Sequence, residues 1–82
     1  MEEEIKMNII TLQAIAKLAE DKHVRIELLP EGFRIIAKAV KPGKGMVKIE
    51  QMISYTKAEA FNYRVDMFEA VIDTTIARLN NV

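Results

Sequence analysis

Two turn signals constrain this chain most. Pro30-Glu31-Gly32 and Lys41-Pro42-Gly43-Lys44-Gly45 cut a stretch of alternating residues into three pieces. In residues 23–29, Val24, Ile26 and Leu28 point one way and His23, Arg25 and Glu27 the other. In residues 33–40, Phe33, Ile35, Ala37 and Ala39 share one face, and Arg34, Ile36, Lys38 and Val40 the other. In residues 46–53 the two sets are Val47, Ile49, Gln51, Ile53 and Lys48, Glu50, Met52. Loops this short join antiparallel neighbours, so the pattern predicts a three-stranded meander.

Helical periodicity flanks the meander. Over residues 3–20, Ile5, Ile9, Leu12, Ala16 and Ala19 recur at spacings of three and four. Three glutamates near its start suit the positive end of a helix dipole, and a later start at Asn8 or Thr11 is the alternative. Near the other end, Thr56-Lys57-Ala58-Glu59 reads as a capping box. Phe61, Val65, Phe68, Ile72, Ile76 and Leu79 then continue the helical spacing. A helix of about 23 residues would be about 35 Å long. It would overhang a seven-residue strand of about 23 Å. The expected fold is one α+β domain over residues 1–82, in α-β-β-β-α order, with both helices on one sheet face.

Composition narrows the function classes. The chain has no cysteine, which removes disulfides and thiolate metal sites. The acidic start Met1-Glu2-Glu3-Glu4 lacks the basic head and apolar run of a secretory signal, and no apolar stretch approaches the ~20 residues of a membrane span. A cytoplasmic chain without a membrane role is expected. Its 12 basic and 12 acidic side chains balance, so any attraction to a polyanion must be local.

That local charge exists. From Gly32 to Lys48 the chain carries Arg34, Lys38, Lys41, Lys44 and Lys48 and no acid. With Ile36 and Met52 on the same predicted outer face, these residues form the candidate binding site. Lysines would steer an acidic protein partner while Ile36 and Met52 supply the buried contact. The alternative is a nucleic-acid contact in which the hairpin grips phosphates. Five such contacts predict a log–log salt slope of about −4 to −5. The aromatics Tyr55, Phe61, Tyr63 and Phe68 all fall in or beside the last helix, so that face has no base-stacking platform. The same lysines also suit a solvated turn that keeps strand edges from pairing with other chains.

Other chemistries fail on spacing. Gly43-Lys44-Gly45-Met46 lacks the upstream glycine and the Ser or Thr of a Walker loop, and it leads into a strand. The element order resembles that of double-stranded-RNA-binding domains. Those domains place a lysine run at the start of the last helix, where this chain has Thr56-Lys57-Ala58-Glu59-Ala60, so membership is not assigned. His23 is the sole histidine and has no ligand-spaced companion. Glu27 and Glu50 on an open sheet lack an apolar pocket, and Ser54 and Thr56 read as turn and cap residues. The expectation is a non-enzymatic binding or regulatory module without metal or cofactor, of the phage-type or bacterial accessory kind. A homodimer could form through the flank of the C-terminal helix, where Tyr63, Met67, Ala70 and Thr74 lie.

Overall fold

The computed structural model describes residues 9–82. Its elements are α1 (Ile9–Asp21), β1 (Arg25–Leu29), β2 (Gly32–Lys41), β3 (Gly45–Ser54), α2 (Tyr55–Ala60) and α3 (Val65–Asn80). The predicted helix start at residue 3 and its glutamates lie outside the described residues. The three strands form an antiparallel sheet in the order β1-β2-β3. The fold class is α+β, as the alternation predicts.

Register follows from the two turns. Leu29 pairs with Gly32 across a two-residue loop, and Lys41 pairs with Gly45 across a three-residue one. There Pro42 presets the turn, Gly43 takes a φ of 79° and the Lys44 amide donates to the Lys41 carbonyl. His23 has a φ of 61°, so the first strand starts at Arg25 rather than at residue 23.

Helices α1 and α3 pack on the sheet face carrying Phe33, Ile35, Ala37 and Ile53, all buried. Ile15 of α1 and Phe68 and Ile72 of α3 complete that core. Phe33 meets Phe68 and Tyr55 edge-on, at ring-centroid distances of 4.9 Å and 5.3 Å. On the far side, Lys22 of the α1–β1 turn reaches Asp73 and Glu69 of α3 at 2.8 Å and 3.2 Å. Asp73 first and Glu69 second hold its ammonium above the usual lysine range.

The C-terminal segment departs from the expected single helix. It breaks at residues 61–64 into α2 and α3. Asn62 takes a left-handed φ of 58°; its amide donates to Glu59 and that of Tyr63 to Ala58. This is a Schellman stop with asparagine at the left-handed position. The break lets Phe61 fold back edge-on against Phe68 at 5.3 Å, and no long straight helix overhangs the sheet. The cap also differs from the expected Thr56 box. β3 runs into α2 without a loop, and Ser54 is the N-cap, its hydroxyl accepting from the Lys57 amide at 3.1 Å.

Candidate functional site

The alternation in β2 and β3 sorts the candidate residues between the two sheet faces. Arg34, Ile36 and Lys38 of β2 and Lys48 and Met52 of β3 share the outer face, on which none of the described helices packs, and Lys44 lies in the tip. Lys41 does not join them. It continues the inward row Phe33, Ile35, Ala37, Ala39, and its ammonium donates to the Leu79 and Val82 carbonyls at the end of α3. A cation at the negative end of the helix dipole is a stabilising cap. Lys41 is therefore a fold residue and leaves the binding set. Lys41→Met is expected to lower stability by about 0.5–1 kcal/mol in urea unfolding while leaving partner affinity unchanged.

Ionic partners divide the remaining cations. Arg34 donates from Nε to Glu27 Oε1 at 2.9 Å, and its Nη2 reaches the same oxygen. Arg25 flanks that carboxylate at 3.2 Å. The Arg34 guanidinium holds the Glu27 carboxyl below its ordinary range. Glu27 is thus the counter-ion shared by Arg34 and Arg25. Lys48 meets Glu50 of its own strand at 3.1 Å. Among the described residues, Lys38 and Lys44 are exposed and have no ionic partner.

The apolar half of the site also shifts. Ile36 lies between Arg25 and Glu50 of the neighbouring strands and is only 8% exposed, closed in by its charged neighbours. Met52 is 40% exposed. The most open apolar pair is nearer the tip, where Val40 and Met46 face each other across β2 and β3 at 74% and 62% exposure. One step along the same face, Lys38 stands directly opposite Lys48. Like charges in that position cost the sheet stability. The period-two pattern that put Val40 outward also puts Met46 there once the Lys41–Gly45 register is known.

Two grooves lie on the helix-bearing side. One, of about 410 Å³, runs between α1 and β1 and is lined by Leu12, Ala16, Val24, Ile26 and Leu28. The other, of about 240 Å³, runs between β3 and α3, with Gln51, Met67, Val71 and Thr74 in its wall. Neither is lined by Arg34, Lys38, Lys41, Lys44 or Lys48. Among the described residues no cluster of three or more His, Cys, Asp or Glu could hold a metal ion, and no helix is long and apolar enough to cross a membrane. No protein-family model, curated protein or solved structure matches the chain.

Proposed function

We propose that this protein is a non-enzymatic binding module that docks an acidic, partly apolar protein surface on the outer face of the β2–β3 hairpin. The observation that carries this reading is the exposed Val40–Met46 pair beside the Lys38–Lys48 pair. Lys48 has Glu50 as its counter-ion, so the uncompensated charge of this pair is Lys38, and holding it beside a second cation carries an electrostatic cost. A carboxylate from a partner removes it. Val40 and Met46 supply apolar surface whose burial favours the same complex. Lys44 at the tip and Met52 further down the face extend the contact, and Arg34 stays with Glu27.

The sheet face supports protein over nucleic acid as the partner. With Lys41 turned inward and Arg34 and Lys48 paired, two unpaired cations remain for phosphates. The expected salt slope falls from five contacts' worth to about −2. No aromatic ring lies on the face to stack a base.

Fluorescence anisotropy tests the choice, with labelled duplex DNA, single-stranded DNA and RNA titrated by the wild-type chain and by Lys38→Glu/Lys44→Glu. The expected result is no salt-sensitive binding at moderate ionic strength. Binding with a slope near −4 that the double variant abolishes would replace this reading with phosphate recognition. For a protein partner, Val40→Asp is expected to weaken affinity about tenfold or more. Equal affinity of wild type and Val40→Asp would remove the hairpin face from the site.

A further inference from the structure

The third strand has a free edge and a sequence that is self-complementary about its centre. β3 spans ten residues without proline, and among the described residues β2 is its only sheet neighbour. Among the described residues no backbone hydrogen bond takes up its other edge. An edge this long and regular is a template for another strand. Around Ile49 the strand reads Met46-Val47-Lys48-Ile49-Glu50-Gln51-Met52, a lysine on one side of the centre and a glutamate on the other, with a methionine at each flank.

We propose that the chain forms a twofold homodimer by antiparallel pairing of two β3 edges in the register that sets Ile49 against its own copy. That register overlaps nearly the whole strand. It sets Lys48 opposite Glu50 of the second copy, twice by symmetry, and Met46 opposite its Met52. A centre at Lys48 or at Glu50 instead opposes two like charges, which is unfavourable. A centre at Val47 or at Gln51 leaves neither lysine facing a glutamate. The centres at Ile49 and Glu50 give equally long overlaps, and charge selects Ile49 between them.

The helix layer fits the same axis. α3 packs on both β2 and β3. With strands about 4.8 Å apart, a helix centred between those two strands lies about 5 Å from the twofold axis. Its copy would then stand about 10 Å away, the spacing of packed helices. The α3 flank turned toward that edge carries Met67, Ala70 and Thr74, all exposed, and it lines the groove beside Gln51. The opposite flank, with Glu69 and Asp73, is engaged by Lys22. The dimer closes the β3 edge and that groove in one step. It leaves the outer sheet face open, now running across six strands.

Sedimentation equilibrium of the full chain tests this from about 1 to 100 µM. The wild type should sediment at twice its 9.4 kDa chain mass. Lys48→Glu and Glu50→Lys each place two like-charged cross-strand pairs in the interface, and each alone should dimerise at least about tenfold more weakly. An equimolar mixture of the two variants should recover the dimer, because each supplies the charge the other lacks. The contact between Lys48 and Glu50 within one chain cannot produce that recovery. Both residues are exposed, and circular dichroism of each variant confirms the fold before sedimentation. Lys48→Glu/Glu50→Lys in one chain should dimerise with itself. A wild-type chain that stays at single-chain mass, single variants as dimeric as wild type, or a mixture that stays dissociated would each overturn the proposal.

Discussion

Phe68→Ala is expected to cost about 3–5 kcal/mol. Phe68 is fully buried and touches Phe33 of β2 on one side and Phe61 of the helix break on the other. Its ring thus joins three segments: the central strand, the interhelical turn and α3. Truncation removes two edge-on ring contacts and leaves a cavity between layers that cannot close without moving α3 across the sheet. A domain of this size holds about 4–12 kcal/mol in all, so the variant should lose at least about a quarter of its stability. Urea unfolding followed by circular dichroism measures this. A loss below about 1 kcal/mol would mean that α3 does not sit on Phe33 as described.

Gly32→Ala is expected to be as damaging for a different reason. Gly32 pairs with Ser54 where β3 turns into α2. A methyl group there would lie 2.2 Å from the Ile53 carbonyl oxygen and 2.8 Å from the Ser54 Cα, both backbone atoms. No rotamer change relieves that overlap, so the strands must separate. The Tyr55 amide bond to Glu31 and the Tyr55 hydroxyl bond to Leu29, at 3.2 Å and 2.7 Å, are lost with them. The expected loss is about 4 kcal/mol or more. Gly43 and Gly45 give the contrast. Both have positive φ, 79° and 78°, but nothing lies within 4 Å of either added methyl. Alanine at either should cost only about 1 kcal/mol of backbone strain. Unfolding midpoints of the three alanine variants distinguish steric from conformational glycine. Equal losses at all three would contradict the close approach at Gly32.

The meander and its facing were legible because period-two alternation and turn residues agree. Phe33, Ile35 and Ala37 went inward as their phase requires. The same phase, carried one step past Ala39, places Lys41 inward as well. Ending that strand at Val40 and assigning Lys41 to the turn obscured that. Asn62 was hidden for a related reason. The spacing from Phe61 to Val65 to Phe68 continues the helical period across the break, so periodicity alone does not register a left-handed residue between them. The clue was chemical, an asparagine with the tolerance for positive φ that a Schellman stop needs. Ser54 lost to Thr56 as a cap because a strand that enters a helix without a loop leaves no gap in the pattern. In the candidate site, the charges were visible but their pairing was not. Only the strand register sets Arg34 against Glu27, Lys38 against Lys48 and Val40 against Met46.

That last pair is where the functional reading is most exposed to test. Photo-crosslinking from Val40→p-benzoylphenylalanine and, separately, from Lys57→p-benzoylphenylalanine on α2 locates the contact whatever the partner's identity. Illumination in cells of the source organism, followed by mass spectrometry of the adducts, is the measurement. The account predicts a discrete adduct between position 40 and another protein, absent from position 57 and absent when Lys38→Glu/Lys44→Glu is combined with the probe. Adducts only from position 57, or adducts from position 40 that consist of nucleic acid, would contradict it.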